Sequence, residues 1–433
     1  MTCALHRYPL TVSWLHQYFG DVHAIEEHWS TLKLYVDSQR RQMLPSDGVP
    51  CFYMWGDWCT PFESRHNATQ GTGPPSSAAN YIMAVEAMVG MAGAIGQTAD
   101  EARYGQELAQ WRTAYDARFW EPSTGTYTKN PLEVQTITST ALAADVVPAA
   151  RRGSAVEALA ADVVSRDYHL SVGSVGQKWL LNELTANGHH DTALKVAMQD
   201  TYPSWGHWLA QGATTCWENW SGVCDESHPG QPWPGRPGKY LSQNPPTHNH
   251  IFRECDSQQL LSFCCIVSGL TFVSLAHTHW LSRAVCGGVG EWMHRSLGGI
   301  APAAPGYATV TIAPQVSKTT GPNAVNASIA TVRGTVKSAW VRPANEGEPF
   351  ELKVSVPVGS RAIVRVPLLD AGASAATIRL REAGEGIELF GPAQRSAETV
   401  GWLVAAARLV GTAGGRAIEL ETVAGEFHFQ LFS

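Results

Sequence analysis

The sequence carries little charge and no concentration of either sign. Charged residues make up only 16% of the 433 residues, and the formal net charge is −7 with a pI near 6.1. Binding to a phosphate backbone requires a field of Lys and Arg, so this balance argues against a nucleic-acid partner. With 44% hydrophobic residues, the chain has the composition of a globular protein of two or three domains.

Metal-ligand patterns are also missing. The nine cysteines include no CxxC pair and no Cys/His spacing of the kind that binds zinc, so we predict no metal site and no cofactor. The pairs Cys51/Cys59 and Cys216/Cys224 stay open as disulfides or free thiols. The N-terminal stretch MTCALHRYPLTVSWL lacks a signal-peptide pattern, which leaves the localisation unknown, cytoplasmic or secreted.

One segment, 253–285, interrupts the pattern of its surroundings. Its centre, 260–276, is nearly free of charge and just long enough to be weighed as a membrane span. A span there would divide a helical core, so we predict no membrane partner.

Helical periodicity dominates from Val12 to about Trp220. Gly20-Asp21 is expected to end the first helix and cap the second. Further helices are predicted over 78–96, 99–119, 138–146, 153–165, 172–186 and 191–201. Repeated helix pairs of this length indicate an α/α toroid rather than a four-helix bundle.

After Ile300 the hydrophobic period changes to two. Short strands are predicted over 308–313, 325–332, 335–341, 350–356, 362–366, 378–381, 387–390, 417–421 and 426–432. Many short strands at this spacing are typical of an antiparallel β-sandwich. We therefore predict an α+β multidomain chain, with a helical domain over 1–300 and a sandwich over 301–433.

The chain contains 16 tryptophans, and four of them lie in TYPSWGHWLAQGATTCWENWSG, residues 201–222. Glu218 is the one carboxylate of this run. Neighbouring indoles partly desolvate a carboxyl group, which raises its pKa and suits it to acid/base chemistry. Trp205 and Trp217 are candidate platforms for a sugar ring, whereas Glu218 could instead cap a helix or pair with an Arg.

Two other short patterns contain candidate site residues. Asp57, a candidate sugar-binding residue, lies between Trp55 and Trp58 in WGDW, where it could instead form a turn or a cap. His250 ends the polar run THNH, where a surface or structural role is the alternative.

The run around Glu218 closely resembles the signature of α-L-rhamnosidases of the six-hairpin type. VGQKWLLNELTANGHHDTALKVAMQ, GGVGEWMHRSLGGI and WGDW are similar to the same family, as are RGTVKSAWVR and VPVGSRAIVRVP in the predicted sandwich. The resemblance implies an (α/α)6 barrel that hydrolyses terminal α-L-rhamnosides with inversion. In such enzymes an acid and a base lie about 6.5–9.5 Å apart on opposite sides of the bond.

The resemblance also implies roles for residues of this chain. Glu218 matches the general base, His250 a sugar-contacting histidine, and Trp55 or Trp58 a stacking wall. The implied partner is a rhamnose-containing glycoside or polysaccharide, and the chemistry requires no metal.

The sequence departs from the family in two ways. Nothing in it matches the acid motif D-x-x-x-R-(D)-E-R-x-G-W-x-G-D, so we expect an incomplete (α/α)6 toroid that is inactive alone. Removal of 253–285 would join His250-Ile251-Phe252 almost directly to the GGVGEW run, so this segment is interpreted as a non-native insertion such as a retained intron. A non-catalytic carbohydrate-binding remnant and a glucoamylase-like or trehalase-like glycosidase are the alternative functions.

Overall fold

The computed structural model describes residues 7–41, 49, 56–57, 60–61, 68–213, 220, 274–275, 288–370, 372–391, 403–413 and 415–432. Within them, the first part of the chain is helical. Its helices are α1 (Arg7–Phe19), α2 (His23–Arg41), α3 (Ala68–Ala94), α4 (Thr98–Phe119), α5 (Val134–Ala143), α6 (Ala149–Ser165), α7 (Gly176–Ala186), α8 (His190–Ala197) and α9 (Trp205–Ala210). A short helix α10 (Gly288–Trp292) continues into a π-helical turn, Met293–Leu297.

The helices form pairs in which one member is buried more completely than the other. Nearly every side chain of α5 is buried, whereas α6 buries only one stripe, which includes Val156, Leu159 and Val163. The same contrast separates α3 from α4. Since a helix that is buried on all sides belongs to the interior, α3 and α5 are inner helices and α4 and α6 outer ones.

The junction between α1 and α2 confirms the predicted capping chemistry. Gly20 has a φ of +73°, and its N–H donates to the His16 carbonyl at 2.8 Å. The Asp21 carboxylate then accepts a hydrogen bond from the Ala24 N–H at 3.0 Å, as an N-terminal capping residue does.

The strands form two sheets. They are β1 (Ser274–Leu275), β2 (Ile300–Pro302), β3 (Thr309–Ile312), β4 (Ala324–Thr331), β5 (Gly334–Val341), β6 (Phe350–Val356), β7 (Arg361–Pro367), β8 (Arg379–Glu382), β9 (Ile387–Phe390), β10 (Leu403–Thr412), β11 (Gly415–Thr422) and β12 (Gly425–Phe432). One sheet has the order β1-β4-β5-β6-β12-β8-β9, and the other β10-β11-β7-β3-β2. Phe350, Leu352 and Val354 of β6 alternate into the core opposite Phe429 and Leu431 of β12.

The pairing is antiparallel except at β1/β4 and β3/β7. Parallel neighbours need a long connection, and strands β4 to β6 of the other sheet supply it between β3 and β7. Three of the described strands, β1, β2 and β10, were not predicted. β2 contains a proline, and β10 contains the Ala-rich run 405–407, a composition with weak strand preference.

The helical part and the sandwich share one continuous core. The Trp340 indole of β5 donates to the Leu297 carbonyl of the π-helical turn at 2.7 Å, and the Gln315 N–H donates to the Ser296 carbonyl at 2.8 Å. Apart from Ser274–Leu275, the segment 253–285 lies outside the described residues. No helix among the described residues is long and apolar enough to cross a membrane.

Candidate active site

A buried carboxylate lies at the N-terminus of α7. Asp57 is fully buried, and its Oδ2 accepts hydrogen bonds from the Thr136 hydroxyl and from the Gly173 N–H, the latter at 2.6 Å. Its Oδ1 accepts from the N–H groups of Val175 at 2.7 Å and Gly176 at 3.2 Å. Asp57 thereby joins three segments that are distant in sequence.

The four donors fill the hydrogen-bonding capacity of this carboxylate. An ionised carboxylate offers about four lone-pair sites, and each of the four is used within the protein. Burial raises the pKa of Asp57, and the four hydrogen bonds act in the opposite direction. Asp57 therefore has no acceptor position left for a sugar hydroxyl in this arrangement.

A glycine permits the close approach that this contact needs. A Cβ on Gly176 would lie 2.5 Å from Thr136 Oγ1 and 2.7 Å from Val172 Cγ1. The first turn of α7 can therefore pack against α5 only because position 176 has no side chain.

The segment that enters α7 is held by a buried amide side chain. Gln135 of α5 donates to the His169 carbonyl at 3.1 Å and accepts from the Ser171 N–H at 2.8 Å. Just before this segment, Asp167 and Tyr168 have φ values of 50° and 61°, which are uncommon for residues with side chains. The path of the chain over 167–176 is thus set by contacts with several other segments.

Three tryptophans of the 201–222 run form a buried cluster. The Trp208 and Trp220 rings stack with centroids 4.6 Å apart, and Trp205 meets Trp220 edge-on at 5.5 Å. The Trp208 indole donates to the Trp220 carbonyl at 3.0 Å, and the Trp220 indole donates to the Val172 carbonyl at 2.5 Å. The cluster therefore connects the two ends of the 208–220 segment to the chain that precedes α7.

Two further contacts orient α9. The Ser204 hydroxyl caps the helix by accepting from the His207 N–H at 2.9 Å. The Tyr202 hydroxyl donates to the Pro61 carbonyl at 3.3 Å, and the Tyr202–Pro203 peptide is cis. This part of the chain thus contacts the segment that follows WGDW.

The structure brings some predicted site residues together and leaves others undescribed. Asp57 contacts the 172–176 segment directly, and Trp205 packs against Trp220, which donates to Val172. Trp205 is only 2% exposed and offers no open face to a sugar. Glu218, His250, Trp55, Trp58 and Trp217 lie outside the described residues, so their predicted roles stay predictions. Trp220, two positions after Glu218, is described and anchored.

Sequence reasoning missed the residues that support this region. Gln135 and Thr136 are buried in the inner helix α5, within the polar run QTITST. A polar run inside a helix that is otherwise apolar was the available signal, since buried hydroxyl and amide groups need partners. Among the described residues, no group of three His, Cys, Asp or Glu side chains could hold a metal ion.

Family comparisons cover both parts of the chain. Residues 7–245 match the model described as the bacterial alpha-L-rhamnosidase 6 hairpin glycosidase domain, and residues 299–379 match the bacterial alpha-L-rhamnosidase C-terminal domain. The chain is 26% identical over 363 residues to an alpha-L-rhamnosidase of Streptomyces avermitilis, covering 83% of this chain and 29% of that protein. It is 26% identical over 349 residues to one of Formosa agariphila, covering 80% and 32%.

Solved structures share the fold over nearly the whole chain. An alpha-L-rhamnosidase from Dictyoglumus thermophilum has a TM-score of 0.70 and 22% identity over 99% of this chain and 39% of that one. The Streptomyces avermitilis enzyme complexed with L-rhamnose has a TM-score of 0.66 and 22% identity, over 98% and 32%. The chain spans about a third of the length of the curated relatives that it matches.

Proposed function

Since the chain belongs to the family of bacterial α-L-rhamnosidases with a six-hairpin glycosidase domain, we propose that it supplies the water-activating side of an active site for terminal α-L-rhamnosides. Both parts of the predicted fold, the helical six-hairpin domain and the C-terminal β-sheet domain, are those of this family. The substrates that we propose are rhamnose-containing glycosides or polysaccharides. We favour rhamnoside hydrolysis over the glucoamylase-like or trehalase-like alternative, because the rhamnosidase family model spans the residues around Glu218.

One observation carries this proposal further than the family match. Trp208 and Trp220, which come before and after Glu218 in the sequence, are anchored, since their rings stack and the Trp208 indole donates to the Trp220 carbonyl. Indole surfaces exclude water, and exclusion of water raises the pKa of a carboxyl group toward the range that a general base needs. We assign proton abstraction from water to Glu218, sugar contacts to His250, Trp55, Trp58 and Trp217, and support of the loop to Trp205.

Inversion and the missing acid define the mechanism that we propose. Glu218 takes a proton from water, the water oxygen attacks the anomeric carbon, and the bond to the leaving oxygen breaks. An inverting enzyme protonates that oxygen with a carboxylic acid, and the printed sequence has no match to the family's acid motif. The chain should therefore hydrolyse fastest those rhamnosides whose leaving group departs without a proton.

The test compares α-L-rhamnosyl fluoride, which needs no acid, with an alkyl α-L-rhamnoside, which does. We expect turnover of the fluoride, with β-L-rhamnose as the first product by NMR, and slower reaction of the alkyl rhamnoside by about 10²–10⁴-fold. Glu218→Gln should abolish fluoride turnover. The matched control is Glu157→Gln, at a carboxylate whose side chain is 74% exposed on α6, and it should leave turnover unchanged.

Two outcomes would contradict the proposal. Fluoride turnover that survives Glu218→Gln would remove the base assignment. Binding of L-rhamnose by calorimetry without turnover of either substrate would favour the carbohydrate-binding remnant.

The organisation of the chain is part of the proposal. We assign the barrel part to 1–300, the sandwich to 301–433, and 253–285 to a segment that is absent from the mature protein. Sequencing the transcript across this junction tests the last point, and a mature message that retains the segment would refute it.

A further inference from the structure

We propose that Asp57 is a positioning residue, which orients the peptide group between Val172 and Gly173 and, through it, the indole of Trp220, the residue two positions after Glu218 in the sequence. The inference deepens the proposed function and rests on it for the catalytic consequence alone. In this proposal the Asp57 carboxylate does not contact the sugar, because donors of the protein occupy all four of its acceptor positions. Asp57 acts instead on the conformation of the protein.

The central observation is that one peptide group is held from both ends. The Gly173 N–H donates to Asp57 Oδ2 at 2.6 Å, and the Val172 carbonyl accepts from Trp220 Nε1 at 2.5 Å. This N–H and this carbonyl belong to the same planar peptide unit. Rotation of that plane would break both hydrogen bonds together, so the carboxylate and the indole are mechanically joined through a single rigid group.

The Trp220 side of this connection leads to the proposed base. Trp220 is two residues after Glu218, its carbonyl accepts from the Trp208 indole, and its ring stacks on Trp208. A displaced Val172 carbonyl would leave the buried Trp220 Nε1 without its acceptor, which is costly because water cannot replace it. The expected response is a shift of the Trp220 ring, and with it of the chain that carries Glu218.

The charge of Asp57 is as important as its position. All four contacts of the carboxylate are with donors, so an amide NH₂ in place of either oxygen would face other donors. On the Oδ2 side the Thr136 hydroxyl can turn to accept, whereas on the Oδ1 side both partners are backbone N–H groups. Asp57→Asn should therefore place its nitrogen at the Oδ2 position and leave the Gly173 N–H unpaired.

The experiment is amide hydrogen exchange on the full chain, with near-UV circular dichroism of the tryptophans as a second readout. Asp57→Asn should accelerate exchange at Gly173 by roughly tenfold or more. It should also accelerate exchange in the peptides around Trp220 and reduce the signal of the Trp208–Trp220 stack. Exchange in the β-sandwich should stay unchanged.

Trp220→Phe tests the connection from the other end and does not alter Asp57. It keeps a ring in the stack and removes the Nε1 donor, so exchange at Gly173 should accelerate here too. This variant keeps the proposal testable if Asp57→Asn does not fold. The matched control is Asp116→Asn in the outer helix α4, which removes a carboxylate that accepts from Tyr127 and Arg151. It should change neither exchange at Gly173 nor exchange in the peptides around Trp220.

The outcomes separate the positioning role from the proposed function. Faster exchange at Gly173 in Asp57→Asn with an unchanged Trp220 region would overturn the connection, as would unchanged Gly173 exchange in Trp220→Phe. With α-L-rhamnosyl fluoride, Asp57→Asn should lower kcat by about 10²-fold with little change in KM. An unchanged kcat in Asp57→Asn would overturn its catalytic role. Absence of turnover in the unaltered chain would contradict the proposed function. In that case the hydrogen-exchange result alone would decide whether Asp57 positions Trp220.

Discussion

At the scale of single residues, the described part of the helical domain buries ionisable groups in two different ways. Asp57 is surrounded by donors that compensate the loss of water. His190 at the start of α8 is 6% exposed, and its ring lies 6.0 Å from that of Trp292 with an interplanar angle of 35°. Burial lowers the pKa of His190 to about 4, because the protein interior disfavours the imidazolium form.

The pKa of His190 predicts acid sensitivity. Between pH 6.5 and about 4 the unfolded chain binds a proton at this position that the folded chain does not, so stability falls as pH falls through this window. His190→Phe keeps a ring against Trp292 and has no imidazole to protonate. The variant should therefore not show the decrease of roughly 3 kcal/mol in the free energy of unfolding that protonation of His190 causes as the pH falls. Urea unfolding from pH 7 to pH 4 measures the difference between the two proteins.

The control for this prediction is His23→Gln, since the His23 side chain is 83% exposed. It should leave the slope of stability against pH as it is. Glu183 has the opposite effect on stability, because burial raises its pKa to about 7. The folded chain then binds this proton more readily than the unfolded chain, so this contribution to stability grows as the pH falls. If the slopes of His190→Phe and the unaltered chain coincide, the assignment of this acid sensitivity to His190 is wrong.

At the scale of elements, packing rather than periodicity decides where helices begin. The sequence predicts a helix from residue 172, but α7 begins at Gly176 because the Gly173 and Val175 N–H groups donate to Asp57. α10 shows a similar dependence on its neighbour. A Cβ on Gly288 would lie 2.5 Å from the Gln177 carbonyl oxygen and 2.6 Å from Lys178 Cα, so α10 contacts the backbone of α7 directly.

Gly288→Ala should therefore separate α10 from α7. We expect a loss of about 1–3 kcal/mol in the free energy of unfolding, because the contact is with backbone atoms that cannot rotate away. The matched control is Gly153→Ala in α6, where an added Cβ meets nothing within 4 Å. It should stabilise the protein by about 0.4–1 kcal/mol, since alanine restricts the unfolded chain. Equal effects of the two substitutions in chemical denaturation would refute the close-packing argument.

At the scale of the whole molecule, the helical part and the sandwich are one packed body rather than two separate ones. The buried residues form a continuous cluster across both, and Trp340 of β5 donates to the Leu297 carbonyl at the end of the π-helical turn. When a hydrophobic core extends across a domain boundary, the two domains are expected to unfold together. Unfolding of one part would expose the core residues of the other part to water.

Trp340→Phe tests this junction. The substitution removes the indole donor and leaves the Leu297 carbonyl without it, so we expect a loss of about 1–3 kcal/mol. A single unfolding transition in the unaltered chain should become broader or divide in the variant by calorimetry. Val341→Thr on the same strand, at a 50% exposed position, should change stability by less than about 0.5 kcal/mol. Two transitions already present in the unaltered chain would contradict a shared core.

Much of the fold could be predicted because it depends on local pattern. The two-residue period at 350–356 and 426–432 corresponds to β6 and β12, and Gly20-Asp21 was correctly expected to separate two helices. β10 could not be predicted in this way, since its Ala-rich run is stabilised by pairing along β11 rather than by strand preference.

The sequence by itself determined the class of each part, the indole-rich run around Glu218 and the family, because these depend on residue type and short spacing. Only the tertiary structure decided that Asp57 lies inside the protein and that its carboxylate holds the start of α7. Its partners lie 79 to 119 positions away along the chain. Hydrophobic periodicity extends over one helix or strand, so it contains no information about contacts at that separation.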